Sequence, residues 1–246
     1  MCHGWPRSCQ NEAMTTPRQR ARERTESEIR DLAWRHLETD GAAALSLRAI
    51  ARDLGVVSSA IYRYVASRDD LLTLMIEEGY ADLADAVEAA EAEVARDQYR
   101  ERWLAVARET RAWAVRRPAA WGLLYGAPVP GYQAPAERTT PHGIRVVALL
   151  AAIMTEAGAA EALTPTVGPT SVPETLRRPL EAAAAEVGAA TTDSMAELVA
   201  LTITGWTSLL GAVSSEVFGQ LGRDTFGDFA ALAEVTFGTL ADAMGL

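Results

Sequence analysis

The stretch Ala51–Leu72, ARDLGVVSSAIYRYVASRDDLL, joins two patterns that do not belong to one helix. Leu47, Ile50, Ala51 and Leu54 recur at helical spacing. Ser46 precedes them as an N-cap type, its hydroxyl able to accept from an orphan backbone N–H. Gly55 then supplies the left-handed residue that a sharp reversal needs. Past the turn the chain restarts as VVSSAIYRYV. Ala51 sits where the two short helices would cross, and anything larger than a methyl group would part them. With Leu54, Val56 and Ile61 expected inward, Ser58, Ser59, Ala60, Tyr62, Arg63 and Tyr64 are left mostly outward. Small polar residues at the front of an exposed helix permit close approach to base edges in a major groove. Tyrosine hydroxyls and helix N-terminal N–H groups suit phosphate oxygens. The pattern predicts a helix-turn-helix; the competing reading is an ordinary surface helix whose aromatic residues lie over a small core.

Charge separates this region from the rest. All 23 basic residues are arginine, and the formal net charge is −10. Residues 1–70 hold 11 Arg against 10 acids, a balance of +1; residues 71–246 hold 12 Arg against 23, a balance of −11. An acidic body does not exclude a polyanion partner, because field and contacts are local.

Working outward, Ile29, Leu32, Ala33 and Leu37 predict a first helix that stops at Gly41. Arg18, Arg20, Arg22 and Arg24 precede it, as a solvated charge run or as a basic arm reaching a neighbouring groove. The second helix runs from Ser46 to Gly55 and the third from about Ser58 to Val65. A long fourth helix follows, capped by Ser67, with Asp69 and Asp70 favoured in its first turn by the helix dipole. Further helices are expected at about 97–116, 118–126, 141–157, 174–187, 192–220 and 225–244. Two Pro/Gly-rich stretches, Gly126–Pro141 and Leu163–Pro173, read as loops. The expectation is an all-α chain in three parts. Residues 1–21 form an N-terminal extension expected to be disordered, with Met14 as an alternative start to Met1. Residues 22–70 form the helix-turn-helix domain, and residues 71–246 a helical effector-binding and dimerisation domain.

LSLRAIARDLGVVSSAIYRYVASRDDLL resembles the DNA-binding domain of the tetracycline-repressor (TetR) family of transcriptional regulators, over residues from about 25 to 72. The resemblance implies that Ser46 and Arg48 meet phosphate, and that Ser58, Ser59 and Ala60 form the base-reading front. It implies that Tyr62 and Tyr64 pack on and bond the DNA backbone, and that Arg68, where the family usually has lysine, points to phosphate. The family commonly has Ser or Thr where this chain has Val57, so that hydroxyl must shift to Ser58 or be missing.

GWTSLLGAVSSEVFGQL, Gly205–Leu221, resembles the C-terminal "WHG" domain of one branch of the family, with Leu210 at its histidine position. Val115–Pro135, with its PVPGY loop, resembles the same branch. These segments suggest a pocket between helices, walled by Trp103, Trp113, Trp121, Tyr125, Met154, Trp206 and Phe218, although such residues at helical spacing are more often core. Few charges interrupt them, so an apolar or aromatic effector is expected. Gly205, Gly211, Ala212 and Gly219 allow close helix contact, and in the family the last two helices form a four-helix dimer interface.

The function expected is therefore a ligand-responsive regulator, most simply a repressor acting on a near-palindromic operator as a homodimer. The alternative is a helical small-molecule-binding protein with weak or lost DNA binding. Cofactors and metals are not expected: Cys2, His3 and Cys9 match no standard zinc spacing. His3, His36 and His142 stand in no nucleophile–base–acid arrangement, so an enzyme is not expected either. No run approaches the roughly 20 apolar residues of a membrane helix, and no signal-peptide layout opens the chain; a cytoplasmic location is the expectation.

Overall fold

The computed structural model describes residues 16–164, 171–186, 194–222 and 225–246. Within them the chain forms α1 (Pro17–Asp40), a 3₁₀ turn (Ala42–Ala44), α2 (Leu47–Asp53), α3 (Ser58–Ile61) and α4 (Arg68–Ala92). The body continues as α5 (Tyr99–Arg116), α6 (Pro118–Tyr125), α7 (Ala136–Gly143), α8 (Arg145–Ala159), α9 (Glu174–Glu186), α10 (Met195–Val217) and α11 (Phe229–Met244). No strand occurs among the described residues.

The head is built by α1 to α3 and the start of α4. Helix α1 begins at Pro17, five residues ahead of the boundary drawn from periodicity. Its start is fixed by a capping box rather than by apolar residues: Thr16 Oγ1 accepts from the Gln19 N–H at 3.2 Å, and Gln19 Oε1 accepts from the Thr16 N–H at 2.8 Å. Pro17 sits at the first helical position, where its missing N–H costs nothing. Residues Met1–Ala13, with Cys2, His3 and Cys9, lie outside the described residues. Ile29, Leu32, Ala33 and Leu37 of α1 are buried against Leu47, Ile50 and Ala51 of α2 and Ile61 of α3. Gly55 adopts φ 72° at the turn, as the reversal requires.

Val56 departs from the sequence expectation. It is 38% exposed, because the left-handed Gly55 swings the chain outward while the Val56 N–H closes the turn on the Ala51 carbonyl. Ile61 and Val65 seal the pair instead, and Leu54 is half-buried. The recognition helix is also shorter than expected. Regular α-helix covers Ser58–Ile61 only, and the turn then tightens, with the Tyr64 N–H on the Ile61 carbonyl at 2.8 Å.

Helix α4 belongs to both halves. Leu71, Leu72 and Met75 close the head core, while Leu83, Ala84 and Val87 enter the body core with Trp103, Val106, Trp113, Trp121, Leu150 and Leu209. The stretch expected as one loop, Gly126–Pro141, instead contains most of α7, and the helix expected from 141 starts at Arg145. Helix α7 is held on α4 by Arg138, whose Nε and Nη2 each donate to Glu77 at 2.8 Å. Of the Leu163–Pro173 loop, residues 165–170 lie outside the described residues.

Contrary to the reading that no run nears membrane length, α10 is long and apolar enough to cross one by length and composition. Its threonines and glycines masked that in the sequence. The helix packs against α5, α8, α9 and α11 within the body.

Candidate nucleic-acid interface

The residues that the sequence places on a DNA-facing surface do come together. Ser58, Ser59 and Tyr62 are exposed, Tyr62 to 49%, and Ala60 and Tyr64 are half-buried at the same edge. Val57 occupies the N-cap of α3 and is 71% exposed, so no side chain caps the helix. Ser58 does not take over the capping role; it is the first helical residue. Ser46 holds the N-cap position of α2 as expected, yet its hydroxyl makes no capping bond. Arg48 and Arg63 are exposed and have no ion-pair partner among the described residues. The sequence reading gave Arg63 no role of its own; its unpaired charge beside Tyr62 is what singles it out.

Arg68 is placed differently. Its Nε donates to the Leu45 carbonyl at 3.1 Å, and Nη2 donates to those of Ala42 and Ala43 at 2.9 and 3.2 Å. The guanidinium thus ties the 3₁₀ turn and the approach to α2 onto the start of α4. Its third nitrogen, Nη1, lies 3.7 Å from Asp69. A second tie crosses the head: His36 Nε2 lies 2.7 Å from Asp53 Oδ2, joining α1 to the end of α2. That bond, with help from Arg52, holds the Asp53 carboxyl below the usual carboxylate range.

The body spends its arginines on its acids. Arg111 forms a two-bond pair with Glu216 at 2.7 and 2.6 Å, joining α5 to α10. Arg108 pairs with Glu234 of α11, Arg145 with Asp85 and Glu88 of α4, and Arg177 with Glu197 of α10. Arg102 is fully buried; burial opposes its charge, but the bonds it donates to Glu156 and Glu91 outweigh this and raise its pKa. The body's arginines are thus largely taken up in pairs with its own acids, while the acids outnumber them 23 to 12.

Among the pocket candidates, Trp103, Trp113, Trp121 and Met154 are core residues with essentially no exposed surface. Trp113 donates to Asp82, and Trp121 Nε1 donates to Ser214 Oγ at 3.1 Å. Tyr125 centres an aromatic row, 4.5 Å from Trp121, 5.8 Å from Tyr80 and 6.1 Å from Trp206 between ring centroids. Burial pushes its phenol pKa up. Phe218 is 41% exposed, at the end of α10. A separate cleft of about 210 Å³ lies between α5, α10 and α11, walled by Val213, Phe229, Leu232 and Phe237, with Arg111 and Glu216 in its lining.

Helix α6 links the two halves. Ala119 and Leu123, four residues apart, pack on the head core with Val129 and Tyr132 beyond; Trp121, Leu124 and Tyr125 pack on the body core. Tyr132 adds a hydroxyl contact of 2.8 Å to Thr73 of α4.

A head of one long and two short helices with an open recognition edge, on a helical body, defines a helix-turn-helix transcriptional regulator. Comparison with known proteins makes the class specific. The family described as "Bacterial regulatory proteins, tetR family" matches residues 29–75, and "Tetracyclin repressor-like, C-terminal domain" matches residues 103–240. The HTH-type transcriptional regulator Mb1846 of Mycobacterium bovis is 44% identical over 213 residues, covering 86% of this chain and 88% of that protein. The solved regulatory protein SCO4313 is 32% identical with a TM-score of 0.70, across 92% of this chain and 98% of that one. A protein of unknown function from Rhodococcus sp. RHA1 shares the fold at 20% identity and a TM-score of 0.66, across 90% and 95% of the two chains. The chain belongs to the tetR family.

Proposed function

We propose that this regulator is a repressor that binds a near-palindromic operator as a homodimer and leaves it when a small apolar or aromatic effector binds the body. The observation that carries the reading is the contrast in pairing. Arg48 and Arg63 flank the open edge of Ser58, Ser59 and Tyr62 without partners among the described residues, while the body's arginines are largely neutralised by its own acids. Unpaired arginines beside small polar residues and an exposed tyrosine suit a phosphate backbone and the groove between its strands. Ser46 and Tyr64 belong to this face, as does Arg68 through Nη1.

The homodimer is supported by the outer faces of α10 and α11. Ile203, Thr207 and Gly211 recur four apart on α10 and are exposed, as are Val235 and Thr239 on α11. A Cβ at Gly211 would meet nothing within 4 Å, which leaves room for a second copy to approach closely. Two-fold pairing is the common solution for such a surface. Effector binding is supported by the apolar cleft between α5, α10 and α11 and by the aromatic row through Tyr125 and Trp206, with α6 relaying movement to the head.

Selection of duplexes retained by the protein from a random library tests this. The expected product is an inverted repeat whose half-site centres lie about one helical turn, roughly 34 Å, or slightly more apart. Tyr62→Ala should weaken the electrophoretic shift of that duplex while leaving the oligomeric state unchanged. Retention without an enriched sequence, and a shift unaffected by Tyr62→Ala, would favour a helical ligand-binding protein that has lost specific DNA recognition.

A further inference from the structure

Helix α1 runs about three turns beyond the head core, and the face it presents there is not random. Ile29 is the last residue of α1, toward its N-terminus, that is buried in that core. Arg22 and Arg18 lie seven and eleven residues before it, about two and three whole turns, so both continue the same face. Arg20 lies nine residues before, about two and a half turns, and so faces the opposite way. The core stripe thus continues past the core as a pair of arginines on the side of the helix that faces the rest of the head.

Their neighbour on that side is the recognition segment. The guanidinium carbon of Arg22 stands 5.8 Å from the centre of the Tyr64 ring. Only Nε of Arg22 is engaged by an acid, Glu26 at 2.8 Å, which leaves the outer nitrogens of the fork unbonded among the described residues. Arg18, one turn further out, is exposed with no ion-pair partner among the described residues. At 1.5 Å per residue, Arg18 lies about 16 Å beyond Ile29 along the axis. The capping box of Thr16 and Gln19 holds this end helical.

We infer that Arg18 and Arg22 form a second phosphate-binding contact, next to but separate from the recognition edge, which grips the backbone of duplex DNA alongside the segment that α3 meets. This rests on the DNA-binding reading given above. The contact is helical and rigid, set by the register of α1. It adds affinity without sequence preference, since phosphate carries no sequence information.

A random-sequence duplex is sufficient as the probe, because nonspecific binding is dominated by phosphate contacts. Affinity is measured by fluorescence anisotropy across a salt series for the full chain and for Arg18→Ala, Arg22→Ala and Arg20→Ala, with a thermal melt of each. Each neutralised phosphate contributes about 0.9 to the slope of log affinity against log salt. Arg18→Ala and Arg22→Ala should each lower that slope by about 0.9, while Arg20→Ala, equal in charge change but on the opposite face, should leave it unchanged. Arg18 is exposed with no side-chain hydrogen bond or ion pair among the described residues, so its variant separates a lost contact from a disturbed head. Equal slopes for Arg18→Ala and the parent chain overturn the inference, as does an Arg20→Ala effect as large as that of Arg18→Ala. If the parent chain itself shows no salt-dependent binding, the DNA-binding reading fails rather than this refinement of it.

Discussion

Arg68 offers the sharpest test of how the head is put together, because sequence and structure give it different work. The family resemblance implies a phosphate contact, whereas the geometry spends Nε and Nη2 on three backbone carbonyls. Those carbonyls belong to Ala42, Ala43 and Leu45, in a connection with few apolar side chains to hold it. A hydrogen bond from a charged group contributes about 1.5–3 kcal/mol when sheltered. The Arg68 side chain is 31% exposed, so water offsets part of that, leaving about 1 kcal/mol for each engaged nitrogen and about 2 kcal/mol in all. Arg68→Ala should therefore lower the melting temperature by about 4–8 °C, taking 2–4 °C per kcal/mol for a chain of this size. Arg68→Lys keeps the charge but loses the planar fork, so it should retain about half the stability while presenting the same charge to DNA.

Circular dichroism melts and salt-dependent anisotropy on the three proteins separate the two roles. A tie within the head predicts graded melting, parent above Lys above Ala, and a salt slope unchanged in Arg68→Lys. If Arg68→Ala melts with the parent protein while its slope falls by about 0.9, the side chain serves phosphate and the structural argument is refuted.

Ile61 is the side chain of α3 buried against the head core, so Ile61→Ala should cost about 2–5 kcal/mol, read from a shift in urea midpoint. Gly205 lets α10 approach α11: a Cβ there would meet Met244 Sδ, with Trp103 at 3.9 Å. Gly205→Leu should separate the two helices at a cost of about 3 kcal/mol and, in the proposed homodimer, shift light-scattering mass toward the monomer. Asp53 has its folded pKa depressed by the His36 bond, so its stabilising effect is complete above the unfolded value of 3.8 and is lost as pH falls below it. The parent protein should accordingly lose more melting temperature than Asp53→Asn between pH 5 and pH 3, in steps of about one pH unit; parallel curves would remove the His36–Asp53 tie from the account.

The head was legible because its constraints are local. An alanine crossing, a left-handed Gly55 and an inward Ile61 must appear in that order for two short helices to pack, with Ser46 at the N-cap position before them. Val56 was misassigned because periodicity presumes one continuous helix, and the backbone reversal at Gly55 resets the phase. The early start of α1 rests on Thr16 and Gln19, polar residues whose reciprocal bonds carry no apolar pattern. Helix α7 was hidden in the same way, inside a proline-rich stretch, and is held by Arg138 on Glu77, sixty-one residues away in sequence. Trp103, Trp113, Trp121 and Met154 illustrate the opposite difficulty. Their composition suits a pocket wall and a packed core equally well, and only the fold shows that they fill the core. Arg68 could not be assigned at all from spacing, since its partners are backbone carbonyls that every sequence possesses.

The two cores are bridged by the long α4, which runs through both, and by one further, short element, and that constrains how any effector can act. Helix α6 is eight residues long, about 12 Å, too short to bend without losing most of its hydrogen bonds. Ala119 and Leu123 are fixed in the head's packing, Trp121 and Tyr125 in the body's. Both interiors are close-packed and yield by shifting whole elements rather than by deforming. A molecule that displaces the Tyr125 ring from Trp206 must then carry Leu123 with it, while the Tyr132 hydroxyl on Thr73 holds the following segment to α4. In the proposed repressor, effector affinity and DNA affinity are thus coupled by the angle of α6 against α4. The coupling can be no larger than the difference in effector affinity between the two settings of that angle.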